Sequence, residues 1–223
     1  MNLHTFSIAG RSADGKSFGV AVSTARPNVG SLVPFVGLQG AVATQARVNT
    51  ELGRKGLALL EAGVGVKMAL SSLLEEDPDK HIRQLHGVDT GEAFAFTGEN
   101  CVDWAGHQLG SDCSVAGNML AGPQVISAMA KAFEGSVELE LSERLLRALE
   151  AGQAAGGDKR GKQSAALLVA SPSPRLYHNL RVDDHGEPIR ELCRIYRVVV
   201  DQSEQIRREY GEKGLELFSK IKI

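Results

Sequence analysis

Aromatic residues are scarce in this chain: one tryptophan, three tyrosines and seven phenylalanines among 223 residues. So thin a supply offers no platform for stacking nucleobases. Basic residues are not in excess either, with 25 Lys and Arg against 27 Asp and Glu. No positive surplus exists to neutralise a phosphate backbone, so nucleic acid is not an expected partner. Long apolar runs are missing as well. The strongest, Ala165 to Ala170, is far below the roughly 20 residues that span a bilayer, so no membrane association is expected. The opening Met1-Asn2-Leu3-His4-Thr5 has neither the basic start nor the apolar core of a signal peptide. Cysteine is rare, and Cys101, Cys113 and Cys193 show no CxxC spacing. An odd number argues against a disulfide framework, so reduced thiols in a cytoplasmic protein are expected.

What the chain does have is ordinary globular composition, 43% hydrophobic and 23% charged, and enough length for a sizeable core. Alternation predicts strands at Thr5 to Ala9, Phe18 to Ser23, Val33 to Val36 and Gly40 to Gln45. Their small, uncharged residues suit strands covered on both faces. Leu52, Leu59 and Leu60 mark a helix ended by Gly63, and Val66, Leu70, Leu73 and Leu74 a second ended near Asp77-Pro78. Strands near Ile82 to Val88 and Ala93 to Thr97 follow. A loop holding Asp103-Trp104-Ala105-Gly106 then leads into Ser114 to Asn118. Two helices come next, one opened by Pro123 and ended by Gly135, the other carrying Leu141, Leu145, Leu146 and Leu149. A strand from Ser164 to Ala170 pairs with one around Tyr177 to Val182, and Pro188 starts another helix. After Val200 the chain turns strongly charged, with Leu215, Leu217, Phe218 and Ile221 late in a final helix.

The order is strands, two helices, strands, two helices, strands, helix, with no Pro-, Gly- or Ser-rich linker and no internal repeat. It suits a layered α+β sandwich with helices on the outer faces of the sheets. One domain over residues 1–200 is expected, with 201–223 a charged helical extension packing on the domain or on a partner subunit.

Several stretches invite chemical readings. Gly156 to Lys162 nearly spells a phosphate-binding loop, but Gln163 stands where Ser or Thr would hold magnesium. A helix precedes the stretch and a strand follows, the reverse of what a phosphate loop needs. Asp158, Arg160 and Gln163 are either the rim of a ligand site or a solvated turn. Asp183-Asp184-His185 has the residue types of a metal site, but adjacent strand residues point to opposite faces. Capping, or an ion pair with Arg181, is the expected role, and no metal or other cofactor is expected. Thr44-Gln45 and Asn49, at a strand-to-helix step, either cap the helix or face a pocket. Cys113 has no activating neighbour and reads as an inert buried thiol. Thr5 opens the first strand. Its hydroxyl becomes a usable nucleophile if cleavage exposes its own α-amine as the base; otherwise it is a β-branched strand residue.

Taken in order, these stretches resemble a bacterial and archaeal family called domain of unknown function 1028. The resemblance rests on Thr5-Phe6-Ser7-Ile8, Gly19-Val20-Ala21-Val22, Gly40 to Gln45 with Asn49, and Asp103-Trp104-Ala105-Gly106. Gly117-Asn118, the run from Ala151 to Leu168, and Leu180 to His185 extend it to about Leu192. The resemblance implies the N-terminal nucleophile (Ntn) hydrolase superfamily and its four-layer αββα sandwich of two stacked antiparallel sheets. It also implies an amide-bond hydrolase with Thr5 in the nucleophile position. Some relatives carry a peptidoglycan-binding domain, which hints at cell-wall peptides.

On these grounds Thr5, Thr44, Asn49, Asp158, Arg160 and Asp184 are expected to approach one cleft, with Gln45 beside them. Thr5 would attack and Asn49 would donate to a developing oxyanion, while Arg160 would orient a substrate carboxylate. The ligand expected is a small molecule or short peptide. A non-catalytic binding protein on the same fold is the alternative. A homodimer is expected, because the last helix needs apolar surface to cover Leu215, Leu217, Phe218 and Ile221.

Overall fold

The computed structural model describes residues 2–3, 5–172 and 179–219, with backbone only for 2–3 and 217–219. In chain order the strands are β1 (Asn2–Leu3), β2 (Thr5–Arg11), β3 (Phe18–Thr24), β4 (Pro34–Val36) and β5 (Gly40–Arg47). Helices α1 (Thr50–Glu61) and α2 (Val66–Glu76) follow, then β6 (Arg83–Asp89), β7 (Ala93–Thr97), β8 (Gly106–Leu109) and β9 (Cys113–Gly117). Helices α3 (Gln124–Glu134) and α4 (Leu141–Ala154), strands β10 (Ser164–Ala170) and β11 (Asn179–Val182), and α5 (Pro188–Ser219) complete the described chain.

The strands form two stacked antiparallel sheets. One has the order β1-β5-β6-β7 with β4 also on β5; the other runs β11-β10-β3-β2-β9-β8. Alternation decides what each face meets. In β2, Phe6 and Ile8 join the core under α3 and α4, while Ala9 joins the layer between the sheets. In β5, Val42 packs with Leu52, Leu60 and Leu70 of α1 and α2, and Ala41 and Ala43 face the other sheet. The molecule is therefore four layers deep: α1 and α2, the β5 sheet, the β2 sheet, then α3, α4 and the first turns of α5. Small residues let neighbouring elements close up. A Cβ on Gly87 of β6, on the side facing α2, would lie 2.4 Å from the carbonyl oxygen of Ala41 on the paired strand β5, so that position tolerates only glycine.

Two details differ from the sequence reading, and one expected strand is described only in part. The loop after Trp104 runs straight into a short strand, β8, which pairs with β9. The strand expected from Tyr177 is described only from Asn179, since residues 177–178 lie outside the described ones. The charged tail continues α5 as far as Ser219, broken at Gly211, whose φ of 65° no helix allows. Leu215 is 1% exposed, packed within its own chain; the side chains of Leu217, Phe218 and Ile221 lie outside the described residues.

Candidate functional site

The layer between the sheets has two halves. One is apolar, built from Phe18, Val20, Val22, Val33 and Val88 with several alanines. The other is polar although it is equally buried. Ser7 of β2, Gln45 of β5, Gln84 and His86 of β6, Ser114 of β9 and Asn118 just beyond it are all at most 1% exposed. Buried polar groups are costly unless hydrogen bonded, and these form one connected set.

The set has a direction, and Gln84 fixes it. Its Nε2 lies 2.7 Å from the Gly117 carbonyl oxygen and 3.2 Å from that of Gly106, so this end must be the amide nitrogen. Gln84 Oε1 then accepts from Asn118 Nδ2 at 2.8 Å and from Gln45 Nε2 at 3.1 Å. Gln45 Oε1 accepts the Ser7 hydroxyl proton at 2.6 Å. Ser7 Oγ has no second proton, so the 2.8 Å contact to His86 must be Nε2–H donating to Ser7. His86 Nδ1 in turn accepts from Ser114 Oγ at 2.9 Å. Burial, with the charge of His107 second, pushes the His86 pKa down to about 3, so the ring is neutral, as this tautomer requires. Ser7 and His86 are thus not a nucleophile and its base, because the serine proton points away from the imidazole.

Thr5 lies two residues before Ser7 on the same strand face. It sits opposite Thr24, and its carbonyl oxygen accepts from Asn118 N at 3.0 Å. Thr5 is 0% exposed, and its Oγ1 has no hydrogen-bond partner among the described residues. Such an orphaned hydroxyl calls for an explanation. Asn118, whose N–H holds the Thr5 carbonyl, also lines a cavity of about 120 Å³ whose other walls include Ala46, Arg47, Ile82, Cys101 and Val102; Thr5 is not itself part of that lining. Two non-glycine residues at this place hold left-handed backbone, Ala46 at φ 66° and Met119 at φ 51°. Strain of that kind gathers at functional sites.

The Asp158 turn crosses the ends of the strands that flank Thr5. Gly156, Gly157 and Gly161 all have positive φ, which lets the chain reverse after α4 and enter β10. Asp158 forms a bridge with Leu120, Lys159 N donates to the Met119 carbonyl, and Gln163 N donates to that of Thr24. The Asp158 side chain is fully buried and accepts from Ala25 N at 3.2 Å. It also accepts from Arg160 N at 2.9 Å and from Arg160 Nη2 at 2.8 Å. Lys162 pairs with Glu187. The resemblance to a phosphate loop is one of spelling alone.

Of the residues picked from sequence, Thr5, Asp158 and Arg160 therefore lie around one strand end. Asp184 joins them at the exposed rim, where its carboxylate accepts from Gln163 Nε2 at 3.1 Å. Gln45 lies within the polar layer, holding Ser7 and Gln84. Thr44 and Asn49 belong elsewhere. Since Gln45 faces inward, strand alternation turns Thr44 towards the helix layer, where its Oγ1 donates to the Asn49 carbonyl. Asn49 caps α1, its Oδ1 accepting from Glu51 N at 3.1 Å. Asp183 pairs with Arg181, as expected. Among the described residues no group of three or more His, Cys, Asp or Glu is placed to hold a metal ion. No described helix is long and apolar enough to cross a membrane. Burial pushes the Cys113 and Cys193 thiols up to about 12 and that of Cys101 to about 11, so none is a ready nucleophile.

Gln84, His86, Ser114 and Asn118 were missed from sequence. Their one signal was Gln84 and His86 alternating with Leu85 in β6, and Ser114 and Asn118 bracketing the small, apolar Val115-Ala116-Gly117.

A family described only as one of unknown function, DUF1028, matches residues 5–192. The chain belongs to the DUF1028 family. It is also similar to the crystal structure of protein SPO2555 from Silicibacter pomeroyi, described as a DUF1028 protein. The two share 35% identity and a TM-score of 0.80, over 87% of this chain and 85% of the other. No curated protein matches. The DUF1028 match begins at Thr5, the residue that opens β2, and leaves β1 outside it.

Proposed function

We propose that this DUF1028 protein hydrolyses a small amide or short peptide, with Thr5 as nucleophile once the bond between residues 4 and 5 is cut. The two-sheet, helix-flanked architecture is compatible with an Ntn hydrolase. The observation that carries the reading is the Thr5 hydroxyl, buried without a partner among the described residues while the polar side chains of the neighbouring layer are bonded; Asn118, which holds the Thr5 carbonyl, lines the nearby cavity. A residue kept only for strand packing would be better served there by valine.

The chemistry needs nothing beyond water. The freed α-amine of Thr5 takes the Oγ1 proton, and Oγ1 adds to the substrate carbonyl carbon. The carbon–nitrogen bond breaks and the leaving amine takes the proton held by the Thr5 amine. Water then attacks the threonyl ester, releasing the carboxylic acid and restoring the hydroxyl. Asn118, rather than Asn49, is the amide suited to a developing oxyanion: it lines the cavity, and Gln84 holds its orientation. Arg160 is engaged with Asp158, and that pair braces the strand ends around Thr5.

Intact mass of protein purified from its native host tests the processing step, with loss of residues 1–4 expected. In the processed protein Thr5→Ala should abolish amide turnover and Thr5→Ser should keep part of it. Turnover unchanged by Thr5→Ala overturns the assignment and leaves the cavity as a binding pocket only.

A further inference from the structure

β1 pairs with the edge of β5, antiparallel, with Asn2 opposite Arg47 and Leu3 opposite Ala46. One residue later the chain is in the other sheet, where Thr5 pairs with Thr24. Two residues of extended backbone therefore lie on the β5 edge, and their direction leads towards Thr5. The same cavity is walled by Ala46 and Arg47, the partners of β1, and by Asn118, whose N–H holds the Thr5 carbonyl. Arg83 braces this edge from behind: its Nη1 donates to the Arg47 carbonyl at 2.6 Å and its Nε pairs with buried Asp77 at 2.9 Å.

We infer that the β5 edge at Ala46–Arg47 is the acyl subsite of this protein, which takes an extended peptidyl or N-acylpeptide chain in the place and direction of β1. The inference rests on the proposed role of Thr5 for its chemistry, but not for its binding. An occupant running the way β1 runs directs its C-terminal carbonyl towards Thr5, so the part recognised is the acyl side of the scissile amide. Main-chain hydrogen bonds to a sheet edge hold such a chain whatever its sequence, and pockets beside the edge select side chains. The cavity of about 120 Å³ accepts one small side chain or a few waters. A flat or branched amide without an extended backbone would find no partner on this edge. The polar strand edge, together with that small cavity, favours a short peptide over an apolar amide.

The probe is the N-acetylated tetrapeptide Met-Asn-Leu-His with a free carboxylate, matching residues 1–4, read by backbone amide shifts of the full chain. In wild type, β1 occupies the edge and no saturable shifts are expected. In Leu3→Pro, where the edge strand loses a donor and its pairing, the peptide should bind with a dissociation constant on the order of 1 mM. The shifts should centre on Ala46, Arg47, Val102 and Asn118. Adding Val102→Phe, which narrows the cavity at a partly exposed position, should weaken binding at least tenfold. Leu3→Gly replaces Leu3→Pro if the proline variant does not fold. Absence of binding to a folded variant with a displaced β1, or shifts elsewhere on the molecule, overturns the subsite. The readout needs no turnover, so the two readings can fail separately. Peptide binding here with no activity sinks only the Thr5 chemistry, and activity with no binding here sinks only the subsite.

Discussion

Replacing Thr5 by valine removes one hydroxyl from the layer between the sheets and leaves the side-chain shape nearly unchanged. Because Thr5 Oγ1 is buried with no partner among the described residues, that hydroxyl costs the folded state about 1–3 kcal/mol of desolvation with nothing returned. Thr5→Val is therefore expected to stabilise the protein by about 1–2 kcal/mol, raising the midpoint of thermal unfolding by roughly 3–6 °C for a chain of this size. Ser7 gives the opposite sign from the same strand face. Its hydroxyl donates to Gln45 and accepts from His86, so Ser7→Ala leaves both groups buried and unpaired. A loss of about 2–4 kcal/mol is expected there. Denaturant unfolding at pH 7 gives both values, provided the slope against denaturant stays constant. If Thr5→Val destabilises by more than about 1 kcal/mol, the hydroxyl has a partner in the folded protein and the case for a nucleophile held in reserve collapses.

Other expectations follow from the same geometry. His86 has a folded pKa of about 3, below the unfolded value of about 6.5, so only the unfolded chain takes up its proton in that window. The His86 contribution to stability is complete above about pH 6.5 and falls by about 1.4 kcal/mol per unit as the pH drops towards 3. His86→Gln should remove that part of the slope between pH 7 and 5; equal slopes in variant and wild type would refute the burial argument. Gly87→Ala forces a Cβ to 2.4 Å from the Ala41 carbonyl, and unfolding curves should show a loss of about 1–3 kcal/mol. A neutral result would mean that β6 shifts against its neighbour β5 more easily than their packing implies. Light scattering should give twice the chain mass. Val198 and Tyr210, 42% and 65% exposed on α5, offer the apolar contact, and a monomer at high concentration would remove the dimer.

Much of the architecture was legible because strand alternation and glycine stops act locally. The strands Thr5 to Ala9 and Gly40 to Gln45, and the helix ends at Gly63 and Gly135, needed no knowledge of neighbours. The phase of the alternation did need it. From sequence, Thr44 and Gln45 are equal candidates for a pocket; only the second sheet, packed on one side of β5, makes Gln45 internal and gives Thr44 to the α1 cap. The same limit hid Gln84 and His86. A strand reading polar, apolar, polar is ordinarily half exposed, and nothing local tells that its polar side meets the polar side of another strand. Asp158 and Arg160 stood out by the crowding of polar groups after a glycine turn, and the structure pairs them with each other beside the end of β3. Asn118 did not stand out, since its bond to the Thr5 carbonyl joins residues distant in sequence.

The directional chain from Ser114 through His86, Ser7, Gln45 and Gln84 has a consequence for how the two sheets sit on each other. Apolar layers attract without direction, so valines and alanines alone would let one sheet slide over its partner at little cost. Here each bond assigns the donor of the next, and the last is anchored to the carbonyl of Gly117. A slide by one residue spacing would part the donors from their acceptors and leave the set buried and unpaired at once. The polar half thus works as a key cut for one alignment, with the greasy half supplying the grip. Swapping every member of the chain for well-packed aliphatic residues is expected to give a protein as stable or more so. It would be one whose sheets no longer know their mutual alignment, and whose strand ends around Thr5 drift with them.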